Sequence, residues 1–279
     1  MRPMKPDKEI SVSTIRIPTA SGSIPALVLA PKTGAENAVG VLWIHGGGYI
    51  AGMKEMVHAS RAVDLVKKFG AVVVSPGYRL AVQLPYPAAA EDCYSALIYM
   101  KNHVRELGIR RDQIMVGGES AGGGLCAAVC LMARDRASVN IAFQMPLYPM
   151  LDDRDTESSR DNHGQVWNTR KNHIAWKLYL RGTPKGHVPA YAAPARAQDV
   201  SGLPPAYTFV GDGEPFYVET LHYIEALKSA GIPADVDVYH TDIHAFDMMR
   251  PELEISKAAA EKFNRAFAYA REHYFAENA

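Results

Sequence analysis

Residues 113–133 read QIMVGGESAGGGLCAAVCLMA: a short apolar run, a turn built largely of glycine around one serine, then a second apolar run long enough for a helix. The pattern Gly118-x-Ser120-x-Gly122 between a strand and a helix needs a turn so tight that the serine takes a strained backbone conformation. Only glycine fits at positions 118 and 122 of such a turn. Ser120 then projects above a sheet, at the positive end of the following helix. The plainer reading is a glycine-rich helix start with Ser120 as an ordinary N-cap. The residues on either side decide between the two.

Outward from this stretch, Val41–Ile44, Ala71–Ser75, Ile141–Gln144, Ala206–Val210 and Val236–Tyr239 join Gln113–Val116 as short runs rich in Val, Ile and Phe. Most are apolar on both faces, as buried parallel strands are. Helical patterns separate them. From Pro87 onward Ala89, Cys93, Ala96, Leu97, Met100 and Val104 keep a three-or-four spacing, as do Ile255, Ala259, Phe263, Phe267 and Tyr274 after Pro251, which suits a helix start. The alternation predicts an α/β fold, a mostly parallel sheet with helices on both faces.

Two segments break the alternation, residues 1–35 and a polar stretch from about Asp152 to Val200. The second holds an amphipathic pattern with Trp167, Ile174, Trp176, Leu178 and Tyr179 among its apolar positions. An insertion of that length between strands predicts a lid or cap rather than a structureless loop.

Residues 45–48 are His-Gly-Gly-Gly, directly after the run VLWI. A negative charge developing on oxygen must be met by preorganised backbone N–H groups, and side chains would obstruct both their orientation and the approach of a reactant. The loop therefore reads as an oxyanion hole. A phosphate-cradling loop is the alternative, but no Lys-Ser/Thr follows and G-x-G-x-x-G does not fit. His45 precedes the loop and is expected to anchor it by hydrogen bonds rather than act as a base.

The 279 residues are 48% hydrophobic and 22% charged, ordinary for a globular chain able to bury one large core. Thirty basic and thirty acidic residues cancel, which argues against nucleic acid and against electrostatic attachment to anionic lipid. The N-terminus carries charges throughout and no run reaches about 18 apolar residues, so stable membrane insertion is not expected and a cytoplasmic location is the default. Cys93, Cys126 and Cys130 lie in apolar helical stretches rather than at metal-ligand spacing and are read as buried thiols.

HGGGYIAG, PGYRLAVQLPYPAAAEDCYSAL, GGESAGGG, PAYAAPARAQDVSGLPPAYTFVGDGEPF and the late HAF together resemble the hormone-sensitive lipase-like esterases, the bacterial family IV of α/β-hydrolases, over roughly residues 40–247. The resemblance implies an eight-stranded α/β-hydrolase sheet and a helical cap built from the N-terminus and an insertion. Residues 36–151 and 200–279 are then the catalytic domain, and 1–35 and 152–199 the cap. It also implies hydrolysis of short- to medium-chain acyl esters without a cofactor, and a homodimer as a common assembly. The oxyanion donors it implies are the backbone amides of Gly47, Gly48 and Ala121.

The chain order in such hydrolases is serine, acid, histidine. After the run AYTFV two carboxylates compete, Asp212 and Glu214. Glu214 is preferred because it precedes Pro215-Phe216, where family members usually carry an aspartate; Asp212 is expected to shape the turn. The substitution lengthens the side chain by one methylene, yet either carboxylate can accept the Nδ1–H of histidine. Of His240 and His244, only His244 stands in the His-Ala-Phe context. The three-residue gap between them, with Asp242 inside it, also suggests a metal site, but no third ligand converges and HExxH is absent, so no metal is expected. The resulting expectation is a carboxylesterase acting on a small-molecule ester through Ser120, Glu214 and His244. An amidase or arylformamidase with the same residues, a peptidase, and a non-catalytic ligand-binding protein on this scaffold are the alternatives.

Overall fold

The computed structural model describes residues 5–184 and 186–278. Its frame is one eight-stranded sheet in the order β1-β2-β4-β3-β5-β6-β7-β8. The strands are β1 (Ile10–Thr19), β2 (Gly22–Pro31), β3 (Ala38–Ile44), β4 (Val72–Pro76), β5 (Ile109–Glu119), β6 (Phe143–Leu147), β7 (Ala206–Gly211) and β8 (Ala234–Tyr239). From β4 through β8 every pairing is parallel, whereas β1–β2 and β2–β4 are antiparallel.

The six expected strands all form. The assignment of residues 1–35 to the cap needs correction: 10–31 is a hairpin whose second strand pairs with β4, so it extends the sheet. It escaped the alternation argument because an antiparallel addition needs no crossover helix. Residues 1–4 and 185 of the expected cap, and residue 279, lie outside the described residues.

Alternation along the central strands sorts side chains to two faces. On β3, Leu42 and Ile44 join one core with helices α2 (Ala88–Asn102), α3 (Ala121–Asp135) and α5 (Tyr217–Ser229), while Val41 and Trp43 join the other with α1 (Ala62–Phe69) and α7 (Glu254–His273). Ala259, Phe263, Phe267 and Ala270 form the buried stripe of α7, and each phenylalanine contributes about 1.5–3 kcal/mol by leaving water. All three cysteines are buried free thiols.

Among its described residues the insertion between β6 and β7 carries one α-helix, α4 (Thr169–Tyr179), started by Asn168, whose side chain accepts the Lys171 N–H. Its buried positions are Asn172, Ala175, Trp176 and Tyr179, an i, i+3, i+4, i+7 stripe. Ile174 is on the exposed side. No helix among the described residues is long and apolar enough to cross a membrane.

Glu119, the last residue of β5, is buried beneath the sheet's carboxyl edge, with Trp43 Nε1 of β3 donating to its Oε1 at 2.8 Å. Burial pushes this carboxyl up to about 8, against the pull of the indole hydrogen bond. The fold thus favours the protonated form. That contribution is complete below the ordinary carboxylate range and is lost as pH rises through about 8. Glu119→Gln, which retains an acceptor for Trp43 and does not ionise, should show a smaller fall in melting temperature between pH 5 and pH 9 than the parent. Parallel melting curves across that interval would sink the assignment.

Candidate active site

Four segments converge at the carboxyl edge of the sheet. The first is the turn between β5 and α3. Ser120 has φ 57° and ψ −119° and makes no side-chain cap to the helix, so it is not an ordinary N-cap. The glycines around it have no room for a side chain: a Cβ on Gly118 would lie 2.5 Å from the carbonyl oxygens of Ile44 and Gly122, and one on Gly122 would lie 2.0 Å from the Ile44 oxygen. Backbone packed against backbone holds the strained serine in place.

The second segment is the loop after β3. Gly47 (φ 120°) and Gly48 (φ 60°) take conformations that favour glycine, and the loop is closed by the Ile50 and Ala51 amides donating to the Gly47 carbonyl. A Cβ on Gly46 would come within 3.3 Å of Ser120 Cβ, which places the loop against the serine. Ala121, the first residue of α3, is buried beside it. His45 stacks on Tyr78 with ring centroids 4.2 Å apart, its Nδ1 lies 2.8 Å from the Gly46 oxygen, and burial pushes its pKa down to about 4. Neutral and built into the loop, it fits the anchoring role expected of it.

The turn after β7 supplies the carboxylates. Glu214 is fully buried. Its Oε1 accepts the Gly211 N–H at 2.8 Å, and its Oε2 bonds His244 Nδ1. Asp212, at the rim, bonds the exposed His240 at 2.8 Å and the Thr241 N–H at 3.1 Å. That pairing lowers the Asp212 carboxyl and raises the His240 imidazole from their ordinary values, the mutual hydrogen bond being the largest cause in each case. The two histidines therefore face different carboxylates.

The fourth segment is the loop after β8. His244 is buried, with Nε2 2.8 Å from Ser120 Oγ. Ser120, His244 and Glu214 thus form one hydrogen-bonded chain of residues 124 and 30 positions apart, with the proton on Nδ1 as the tautomer consistent with a carboxylate partner.

Sequence reasoning missed two aromatic neighbours. Phe216 sits edge-on to His244 with centroids 5.0 Å apart, and Trp167 of the insertion lies 6.5 Å from Phe216. A Cβ on Gly48 would strike the Trp167 ring at 2.2 Å, so the glycine also admits the indole. The signal for Phe216 is its place beside Glu214; Trp167 reads in the sequence only as part of an amphipathic face.

The description "alpha/beta hydrolase fold" belongs to the family model that matches residues 41–248. Esterase LipI of Mycobacterium tuberculosis is 34% identical over 242 residues, spanning 85% of this chain and 75% of that protein. Carboxylesterase NlhH of the same species is 32% identical over 253 residues, 88% of this chain and 77% of its own. Among solved structures, a bacterial heroin esterase superposes with a TM-score of 0.87 at 32% identity, covering 91% of this chain and 82% of that one. An esterase from the archaeon Pyrobaculum calidifontis gives 0.83 at 34% identity, covering 91% and 81%. The chain belongs to the alpha/beta hydrolase fold family.

Gly122→Ala separates the turn's geometry from helix propensity. Alanine in a helix is normally the more stable residue by up to about 1 kcal/mol. Here the added methyl meets an immovable carbonyl, so the variant should lose about 2 kcal/mol or more in urea unfolding. Stabilisation would mean that the elbow is looser than described.

Proposed function

We propose that this chain is a serine carboxylic ester hydrolase in which Ser120 is the nucleophile, His244 the general base and acid, and Glu214 the carboxylate that orients His244. The observation carrying the reading is the Ser120 Oγ–His244 Nε2 contact of 2.8 Å, with Glu214 on the far side of the ring. His244 Nε2 takes the hydroxyl proton as Oγ bonds to the ester carbonyl carbon, and the backbone amides of Gly47, Gly48 and Ala121 receive the oxyanion. His244 returns the proton to the departing alkoxide as the C–O bond breaks. Water then gives its proton to His244 and attacks the acyl-enzyme, releasing the acid and restoring Ser120. The chemistry calls for no cofactor.

Residues 152–199 are proposed as the cap. Ser158 Oγ donates to the Pro215 carbonyl and Asn162 Nδ2 to that of Gly213, which ties the insertion to the turn bearing Glu214. A small-molecule ester as partner, rather than nucleic acid, accords with the cancelling charges. A cytoplasmic location and a homodimer, the latter checked by sedimentation, complete the reading. Esters are preferred to amides because the relatives named above are esterases; nitroacetanilide cleaved as fast as nitrophenyl acetate would reverse that preference.

Ser120→Ala should abolish turnover with the fold intact. Glu214→Ala should lower kcat by about 10⁴, the loss seen when a triad histidine is left in the wrong tautomer, while Asp212→Ala costs stability and leaves kcat near the parent value. An inactive but folded Asp212→Ala beside an active Glu214→Ala inverts the roles of the two carboxylates.

Trp167, leaning on Gly48 and facing Phe216, bounds the space beside the loop that receives the oxyanion. Nitrophenyl esters should therefore be cleaved best below about ten acyl carbons, since burial per methylene helps only until the pocket is filled. Trp167→Ala should move the optimum to longer chains. An unchanged chain-length profile removes Trp167 from selectivity.

A further inference from the structure

His244 is held in the plane of its ring by two hydrogen bonds, to Ser120 and to Glu214. In-plane bonds do not by themselves stop the ring from tilting. Two aromatic rings stand nearly perpendicular to it and restrict that tilt: Phe216 at 5.0 Å and 78°, and Tyr148 at 5.2 Å and 81°. Tyr148 is the more constrained of the two. It is fully buried and takes φ 33°, a left-handed conformation that costs a non-glycine residue about 1 kcal/mol or more.

Tyr148 follows β6, and its turn is bonded to the backbone of Ser120 and to β7. The Ser120 amide donates to the Leu147 carbonyl, the Met150 amide donates to the Ser120 carbonyl, and the Tyr148 amide donates to Phe209 on β7. Its phenol donates at 2.9 Å to Oδ1 of Asp247, three residues after His244 in the short helix α6 (Phe246–Met249). Asp247 Oδ2 lies 3.1 Å from Nε of the buried Arg61, whose Nη1 donates to Asp64. A buried carboxylate needs such a counter-charge to persist. The circuit closes: the turn bonded to the nucleophile's backbone packs its ring on the base, and its hydroxyl grips the helix that follows the base.

We propose that Tyr148 and Asp247, paired with Arg61, are positioning residues that hold His244 in line with Ser120. The proposal rests on the reading of Ser120 and His244 as nucleophile and base. Removing the hydroxyl frees the α6 end of the His244 loop without touching any group that meets substrate. Small displacements of a proton-transfer group are expensive, up to about a hundredfold for 1 Å.

The test is steady-state hydrolysis of nitrophenyl acetate by Tyr148→Phe, Asp247→Asn and the double variant, with melting temperatures and with Ser120→Ala as a control. Tyr148→Phe should lower kcat about tenfold or more at an almost constant KM, in protein that remains folded at the assay temperature. Asp247→Asn, which keeps an acceptor for the phenol, should retain more activity than Tyr148→Phe. The double variant should be little worse than Tyr148→Phe, because the two act as one unit. Tyr148→Phe with parental kcat, a loss confined to KM, or fully additive losses would overturn the proposal. An active Ser120→Ala would instead refute the serine mechanism on which it stands.

Discussion

The close approach of two backbones governs this molecule. The ends of β3 and β5 come so near that Gly118 and Gly122 lie on the carbonyls of Ile44 and His45, with no space for a methyl group. That contact forces Ser120 out of the strand direction into its positive-φ conformation, and it sets the glycine loop after β3 beside the serine. Amides that must receive a developing charge are useful only if they are already in place. In the proposed mechanism, a sheet whose neighbouring strands end in the same layer provides that placement before any substrate arrives.

Environment then gives similar groups different work. Glu119 and Glu214 are both buried carboxyls at the same edge of the sheet. Glu119 has one indole donor and is pushed up to about 8, so it is largely protonated at neutral pH. Glu214 accepts a backbone N–H on one oxygen and bonds His244 with the other. Asp212, two residues away, stays in water and pairs with an exposed histidine. The extra methylene of glutamate is accommodated because its Oε1 folds back on the Gly211 amide, leaving Oε2 directed at the imidazole.

The parts legible in the sequence are those whose causes are local. The glycine pattern around Ser120, the glycine loop at 46–48 and the two-sided apolar strands each state their geometry within a few residues. The hairpin at 10–31 was not legible as sheet because its partner, β4, lies more than forty residues away and no helix announces the crossover. Ile174 reads as apolar, yet the stripe that packs contains Asn172 in its place, satisfied by the Trp167 indole. The choice between Asp212 and Glu214 could be argued only from a family pattern, since what separates them, burial and the histidine each one bonds, depends on contacts with a distant loop. Tyr148 and Asp247 carried no signal, because a contact between residues 99 positions apart leaves no periodicity to read.

Where these distant contacts fall has its own logic. The local motifs supply each group of the proposed triad, but none fixes one group relative to another. Ser120 belongs to β5 and α3, Glu214 to the turn after β7, and His244 to a loop after the edge strand β8, the least supported of the three. An edge strand has a neighbour on one side only, so the loop that leaves it needs anchors from elsewhere. Here they are Glu214 from one side, and from the other Tyr148, whose turn is itself hydrogen-bonded to Ser120. The buried Arg61 makes that second anchor affordable by compensating the charge of Asp247. A strained tyrosine and a buried ion pair, each unfavourable alone, persist because together they tie the edge of the sheet to its centre.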